Sequence, residues 1–284
     1  MACAVSVLAL SACAPATAPV ASASPGTTVP TSTSPSSPPP SSPPPYDPAP
    51  LLAQIAEAAA PLGGRISVVV RDADGEHVLA DPGTDEVTPT ASLVKVVLVA
   101  RLLALGRDGA LGLTGEDLAL MERAVATSDD AAMNTLWTRY DGARLVADAA
   151  AWAGLSRTGP PAMPGQWGEA TTTAREFAGF LAVLPGLLHE DDVRTLLGWM
   201  RAASAVAADG FDQRFGLLLG SGAPVAAKQG WMCCVGGRRV LHSAGVLANG
   251  LVVVLLGDFP AGTSWSQART ALDTAATAVL ARKG

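Results

Sequence analysis

Ser92 and Lys95 stand three residues apart at the start of the most apolar helical run in this 284-residue chain. Positions i and i+3 share one face of a helix, so the hydroxyl and the amine can meet. The residues from 96 to 105 are apolar almost without interruption, which predicts a helix in the interior of a domain. Burial favours a neutral amine, which can take the proton of a nucleophilic serine. A plain helix start, with Lys95 extending to water, explains the same pair.

The order of the elements around this pair indicates an α+β fold. Helical and strand patterns give, in chain order, a helix, two strands, several helices, three strands and a last helix. The predicted bounds are a helix over 51–62, strands over 66–71 and 77–80, helical segments from 92 to 155 with breaks at 109–115 and 141–142, helices over 173–184 and 191–203, strands over 225–231, 239–248 and 251–257, and a helix over 266–281. A hairpin turn is predicted at 72–75, and Thr90 is the predicted N-cap of the helix that carries the pair. We therefore predict an antiparallel sheet formed from both chain ends plus a helical lobe, with a cleft between them.

Two later segments place further polar groups where such a cleft would form. Ser128-Asp129-Asp130 falls in a predicted helix–helix connection, and Lys228-Gln229-Gly230 lies on a late strand. With Ser92-x-x-Lys95, and in the same order, they resemble the S-x-x-K, S-D-N and K-T-G motifs of penicillin-recognising serine enzymes. The resemblance covers residues 51–284 and is closest to the class A β-lactamases. It implies a β-lactamase-like serine hydrolase domain over those residues.

The resemblance implies a catalytic role for three side chains. Ser92 would be the nucleophile that accepts the acyl group, and Lys95 would be its activating amine. Ser128 would relay a proton to the leaving nitrogen. The backbone N–H groups of Ser92 and Trp231 would form an oxyanion hole, which stabilises charge that develops only in the transition state.

The resemblance also implies a set of substrate-binding residues, which are Asp130, Lys228, Gln229, Gly230 and Trp231. Lys228 would hold a substrate carboxylate, and Gly230 would leave room for a substrate along the strand edge. Asp130 stands where the family has asparagine. An ionised carboxylate only accepts hydrogen bonds, and it could hold the activating amine in its charged form. Gln229 replaces a hydroxyl residue, but its carboxamide can still donate a hydrogen bond.

The Ω loop of the class A enzymes supplies a glutamate that activates the deacylating water. Thr171-Thr172-Thr173 resembles the threonine run that closes this loop. The segment 154–168 before it is short and contains no carboxylate, and Glu169 is too close to the threonines to align. We therefore expect acylation to outrun deacylation.

The first fifty residues read as an export signal and a linker. Residues 4–12 are apolar but too short to span a bilayer, and Leu10-Ser11-Ala12-Cys13 resembles the lipobox of bacterial lipoproteins. The resemblance implies lipidation of Cys13 and an extracytoplasmic, membrane-anchored protein. An ordinary secretory signal, and a secreted protein, remain the alternative, and no basic residue precedes the apolar stretch. Residues 14–50 are rich in Pro, Ser and Thr and cannot build a core, so they are predicted to be a disordered linker.

Cysteine usage leaves one open question. Within the predicted signal and lipobox segment, residues 1–13, Cys3 would leave with the cleaved signal, whereas Cys13 would stay as the lipidated first residue. Cys233 and Cys234 are then the thiols of the folded part. A vicinal disulfide, two free buried thiols and redox reactivity are all possible, and we expect buried thiols that act as small apolar side chains.

The composition argues against several classes of partner. The net charge is −6 and no cluster of Lys and Arg forms, so nucleic acid is not a predicted partner. No metal-ligand spacing occurs, and neither a metal nor another cofactor is predicted. The three histidines, which are scattered along the chain, are His77, His189 and His242.

Two functional hypotheses of different classes follow. The first is a monomeric, membrane-tethered serine hydrolase that transfers an acyl group from a β-lactam, a cell-wall peptide or an ester. The second is a catalytically inactive, β-lactamase-like binding protein of the cell envelope. Asp130 divides them, because a carboxylate that engages Lys95 favours the second.

Overall fold

The computed structural model describes residues 47–72, 75–219 and 225–281. Within these residues the α-helices are α1 (Ala49–Ala59), α2 (Val94–Arg107), α3 (Gly115–Ala126), α4 (Asp130–Arg139), α5 (Gly142–Trp152), α6 (Ala174–Leu187), α7 (Glu190–Arg201) and α8 (Trp265–Leu280). The strands are β1 (Arg65–Arg71), β2 (His77–Ala80), β3 (Thr88–Pro89), β4 (Thr171–Thr172), β5 (Ala226–Val235), β6 (Arg238–Val246) and β7 (Val252–Pro260). The signal, Cys13 and most of the linker that the sequence predicts lie outside the described residues.

The main sheet joins the two ends of the described chain. Its five strands are antiparallel in the order β2-β1-β7-β6-β5, and β1 pairs with β7 so that Val69 lies opposite Val254. The helices α2 to α7 come between β2 and β5 in sequence and form the helical lobe. The predicted fold class, an antiparallel sheet built from both chain ends with a helical lobe, is confirmed.

The sheet is covered on both faces, so that it separates two apolar cores. Successive residues of a strand point to opposite faces. Accordingly Val69 packs in the core shared with the helical lobe, whereas Val68 and Val70 pack in the core formed with α1 and α8. Burial on both faces explains why β1 and β7 read as continuous apolar runs rather than alternating ones.

Helix α2 runs through the centre of the helical lobe. Its residues from Val94 to Ala100 are all buried, and so are Leu102 to Ala104. The prediction of an interior helix is confirmed. Because Lys95 belongs to this buried run, its amine has no route to bulk water.

The segment before α2 differs from the prediction. A 3₁₀ turn over Ala91–Leu93 precedes α2, and Ala91 has φ +46°. Thr90 occupies the N-cap position of this turn, as predicted, but its hydroxyl donates to the Ala91 carbonyl and forms no capping bond. The α-helix itself begins only at Val94. The pairing of β3 with β4 also went unpredicted, because two-residue strands carry no readable periodicity. This pairing ties the chain before Ser92 to the loop that precedes α6.

Candidate active site

A cavity of about 340 Å³ opens beside the 3₁₀ turn at the start of α2. Its walls come from five separate stretches of chain: that turn, the beginning of α4, residues 165–168, Asp209 and strand β5. Ser92, Asp130 and Trp231 are among the lining residues. Residues that are far apart in the sequence therefore meet at one concave surface, as the predicted cleft requires.

Ser92 presents a hydroxyl without a protein partner. Its side chain lines the cavity although the residue is only 5% exposed, and it makes no hydrogen bond to any other described residue. In particular, Lys95 does not bond to it, so the expected contact between hydroxyl and amine is not made. A nearly buried hydroxyl with unused hydrogen-bonding capacity is poised for a group that enters the cavity.

Gly230 brings strand β5 against the Ser92 turn. A Cβ at this position would lie 3.2 Å from the Thr90 carbonyl oxygen and 3.4 Å from the Ser92 backbone nitrogen. The missing side chain therefore faces the turn. The absent side chain therefore lets the two backbones approach each other, and the expected room for a substrate along the strand edge stays a prediction.

The Lys95 amine is fully buried and faces the connection between α3 and α4. Its Nζ donates to the Ser128 carbonyl at 2.7 Å, to the Ser128 hydroxyl at 3.3 Å and to Asp130 Oδ1 at 2.6 Å. These contacts use all three donors of an ammonium group. Burial lowers the pKa of Lys95, and the Asp130 carboxylate acts in the opposite direction. The two effects compete, and the geometry is that of a charged amine held by its carboxylate.

The Ser128 hydroxyl lies between two lysines. It accepts hydrogen bonds from Lys228 Nζ at 2.8 Å and from Lys95 Nζ at 3.3 Å. With both lone pairs engaged, its own proton remains available for donation. Ser128 has φ +53°, an uncommon conformation for a residue with a side chain, which places its hydroxyl between the two amines.

Lys228 is as deeply buried as Lys95. Its Nζ also donates to the Gln229 carbonyl at 2.8 Å, and only 1% of the residue is exposed. Burial first, and then the neighbouring Lys95 charge, holds the pKa of Lys228 well below its usual range. Both buried amines thus donate hydrogen bonds to the Ser128 hydroxyl, and neither lines the cavity.

Gln229 is turned away from the cavity. Its Nε2 donates to the carbonyls of Gln213 and Phe215, and the side chain is completely buried. Gln229 does not line the cavity, because its Nε2 anchors the segment that precedes β5, while its buried Oε1 has no partner among the described residues. The arrangement therefore does not support the predicted contact of Gln229 with a substrate. Trp231, by contrast, lines the cavity, with its ring stacked on Phe211 at a centroid distance of 4.5 Å.

The structure adds three residues that sequence reasoning missed. Trp167 places its ring over Lys95 Nζ, 4.8 Å from the ring centroid, and its Nε1 donates to Asn134 Oδ1 at 2.8 Å. Asp209 Oδ2 accepts from Trp231 Nε1 at 3.1 Å. All three line the cavity, but each lies in a loop or on a helix face where no motif marks it.

Two carboxylates of the described residues line the cavity, and neither comes from the loop after α5. They are Asp130 and Asp209. Glu169, in a short 3₁₀ turn over Trp167–Glu169, does not line it.

Cys233 and Cys234 lie near the end of β5 and are joined to each other by a disulfide. Both residues are exposed. The expectation of two free buried thiols is therefore wrong, because the end of the β5–β6 hairpin projects beyond both cores.

The fold and the cleft together define a protein of β-lactamase architecture. A β-lactamase from Chitinophaga pinensis matches over 81% of this chain and 97% of its own, with a TM-score of 0.65 and 15% identity. A β-lactamase from Sphaerobacter thermophilus matches over 83% and 97%, with a TM-score of 0.64 and 18% identity. A variant of the last common ancestor of Gram-negative class A β-lactamases matches over 82% and 97%, with a TM-score of 0.63 and 24% identity.

The sequence itself matches the model of the β-lactamase enzyme family over residues 117–281, and the chain belongs to that family. The matched range includes Ser128 and Lys228 and begins after Lys95. Proteins of Mycobacterium bovis and Mycobacterium tuberculosis, named "Putative lipoprotein LppW", are 32% identical over 199 residues. That match spans 68% of this chain and 62% of the relatives' length. Among the residues that the structure describes, none of the helices has the length and apolarity needed to cross a membrane.

Proposed function

We propose that this protein is a serine acyl-transfer enzyme of the cell envelope that acts on a β-lactam, a cell-wall peptide or an ester. The observation that supports the proposal is a chain of contacts that begins at one cavity. Ser92 and Asp130 line the cavity, and Asp130 accepts a hydrogen bond from the buried amine of Lys95. Lys95 and Lys228 both donate to the Ser128 hydroxyl. Membership of the β-lactamase enzyme family supports the same reaction class.

In the proposed reaction, Ser92 Oγ attacks the substrate carbonyl carbon while Lys95, in its neutral form, takes the hydroxyl proton. The backbone N–H groups of Ser92 and Trp231 stabilise the oxyanion of the tetrahedral intermediate. The carbon–nitrogen bond then breaks, and Ser128 donates its proton to the leaving nitrogen. Lys228, which donates to Ser128 Oγ, replaces that proton. For an ester the leaving atom is oxygen and the proton path is the same.

We propose that both chemical steps are slow. Lys95 must lose a proton before it can act as a base, and Asp130 at 2.6 Å opposes that loss. Hydrolysis of the acyl-enzyme needs an activated water, and the Trp167 ring occupies the region above the amine instead of a carboxylate. The acyl-enzyme should therefore accumulate.

A second candidate function is a catalytically inactive envelope protein that binds its ligand in the same cleft. The observation that favours it is the Lys95 donor set. All three amine hydrogens point to Ser128 and Asp130, and none points to Ser92. If this arrangement persists when a ligand enters, the cleft binds without reacting.

Intact-mass measurement after incubation with a penicillin separates the two candidates. The enzyme hypothesis expects a covalent adduct in the natural protein and none in Ser92→Ala. The absence of an adduct, together with no hydrolysis of a chromogenic cephalosporin or simple esters, would leave the binding protein as the function. The parallel experiment with Asp130→Asn shows whether the carboxylate is what suppresses reaction.

We also propose attachment to the membrane through a lipid on Cys13. The lipobox-like sequence 10–13 and the lipoprotein name of the relatives support this. Expression in a bacterial host, followed by fractionation, tests it. The natural chain should stay with the membranes and Cys13→Ser should not. If both chains were absent from the membrane fraction to the same extent, the lipid anchor would be contradicted, whereas the acyl-transfer proposal would be unaffected.

A further inference from the structure

The charges that the cleft exposes are all negative. The Asp130 side chain is 57% exposed and Asp209 is also exposed, whereas Lys95 is completely buried and Lys228 is 1% exposed. None of the described residues that line the cavity is a lysine or an arginine. An entering molecule therefore meets the carboxylates before it meets either amine.

Asp209 is a carboxylate held by two hydrogen bonds, and its charge acts on the buried amines of Lys95 and Lys228 without pairing directly with either. Its Oδ1 accepts from the Phe211 backbone N–H at 2.9 Å and its Oδ2 accepts from Trp231 Nε1 at 3.1 Å. Both donors are uncharged, and Asp209 forms no ion pair with another described residue. A carboxylate accepts up to about four hydrogen bonds, so capacity remains for a ligand. Asp130, in contrast, already has Lys95 as its ion-pair partner.

The Trp231 ring lies beside this carboxylate. Trp231 lines the cavity and donates its Nε1–H to Asp209. Stacking on Phe211 fixes the orientation of Trp231, so the carboxylate is held at one position of the cavity wall. Trp167 lines the same cavity from the loop after α5, with its ring over Lys95 Nζ.

An independent observation places the reacting end of the ligand in the same cavity. The Ser92 hydroxyl lines it, is nine-tenths buried and has no partner among the described residues. The cavity thus offers a position for an acyl group at Ser92 and a position for a cationic group at Asp209.

We propose that the cleft selects acyl substrates that carry a primary ammonium group, which Asp209 binds beside Trp231. This inference rests on the proposed function for its acyl-transfer part. It also differs from the family-based expectation that Lys228 holds a substrate carboxylate. The Lys228 amine is buried and donates to Ser128 and to the Gln229 carbonyl.

The test compares two penicillins that differ by one group, benzylpenicillin and its α-amino derivative. The rate of adduct formation is measured by intact mass for each, and the quantity of interest is the ratio of the two rates. In the natural protein the amino compound should react roughly 5-fold faster, as expected for one partly exposed charge pair. In Asp209→Asn the ratio should fall to about one, because the amide can still hydrogen-bond to Trp231 but carries no charge.

Asp108→Asn is the matched control, since Asp108 is an exposed carboxylate at the end of α2 and does not line the cavity. It should leave the ratio at the natural value. A ratio at or below one in the natural protein, or a ratio that Asp209→Asn does not change, overturns the proposal.

Binding to Ser92→Ala separates this proposal from the proposed function. Calorimetry with the same two penicillins should show tighter binding of the amino compound, and Asp209→Asn should remove the difference. If no adduct ever forms but this difference is present, the acyl-transfer function fails and the recognition of a cation stands. If adducts form without any preference for the amino compound, the cation site fails and the function stands.

Discussion

At the scale of single residues, the pairing of Asp130 with Lys95 dominates the site. An asparagine would donate to a substrate or accept from the amine, whereas a carboxylate only accepts and brings a full charge. Burial lowers the pKa of Lys95 and the Asp130 charge opposes that shift. Under the proposed function, the protonation state of this buried amine therefore decides whether the Ser92 hydroxyl has a base.

Asp130→Asn should increase the rate at which penicillin acylates Ser92, by about tenfold near neutral pH. Without this carboxylate, the largest opposing charge is gone, so burial lowers the pKa of Lys95 further, against the smaller effects of Asp129 and Asp209. Adduct formation followed by mass between pH 6 and 10 measures the effect. The rate should rise with pH in both proteins, with the midpoint at lower pH in Asp130→Asn. A slower variant with an unshifted profile would indicate that Asp130 itself accepts the proton.

His242 makes the stability of the fold sensitive to acid. The ring is fully buried and its Nε2 lies 2.9 Å from the Pro89 carbonyl oxygen, while burial lowers the pKa of His242 from 6.5 to about 4. Between these values the unfolded chain binds more protons than the folded one, so the contribution to stability is complete above pH 6.5 and is lost as the pH falls towards 4.

The free energy of unfolding should accordingly drop by about 2 kcal/mol between pH 7 and pH 5 through His242 alone. His242→Gln keeps a donor for Pro89 but does not titrate. Urea unfolding at the two pH values should show a smaller drop in the variant than in the natural protein. Equal drops would mean that other groups cause the acid sensitivity.

At the scale of elements, the contact of β5 with the 3₁₀ turn aligns the site. β5 carries Trp231 to the cavity and the buried Lys228 to Ser128, while the turn carries Ser92. Gly230 is the point at which the two backbones meet. Under the proposed function, the position of the Ser92 hydroxyl therefore depends on this close approach of the two backbones, which a larger residue at position 230 would prevent.

Gly230→Ala should lower the acylation rate by about tenfold or more, because its Cβ would push against the Thr90 carbonyl and displace the Ser92 backbone by a few tenths of an ångström. The fold should persist, which far-UV circular dichroism and the melting temperature would verify. Gly198→Ala is the matched control, since a Cβ there meets no atom within 4 Å. Full acylation by Gly230→Ala would show that the contact does not align Ser92.

At the scale of the whole molecule, the sheet joins two cores into one cooperative unit. Each central strand contributes side chains to both cores, as Val69 and Val70 do from adjacent positions. Loss of packing on one face should therefore destabilise the other.

Leu272→Ala tests this coupling. Leu272 is fully buried on α8, on the sheet face opposite the helical lobe. The substitution should cost about 3 kcal/mol and lower the urea midpoint by the same amount for every probe. The probes are far-UV circular dichroism and the fluorescence of Trp137, isolated by Trp→Phe changes elsewhere. An unmoved midpoint for Trp137, which lies in the helical lobe, would show that the lobe unfolds independently.

Local patterns in the sequence determined the elements and their order. The sequence predicted the strongly apolar run of α2, the breaks between the helices and the three late strands. These features could be predicted because periodicity and turn residues act over a few positions. The spacing of the motifs also singled out Ser92, Lys95, Ser128 and Lys228, which the structure gathers at and beneath one cleft.

Only the tertiary structure decided how those groups are connected. Lys95 bonds to Asp130 and not to Ser92, and Gln229 points away from the cavity. Asp209 and Trp167 line the cavity. Each of these placements depends on how distant loops pack. Such partners are fixed by packing between segments far apart in the chain, and a local motif carries no information about them. The sequence by itself therefore determined the fold and the candidate nucleophile, whereas the charge around that nucleophile was decided in three dimensions.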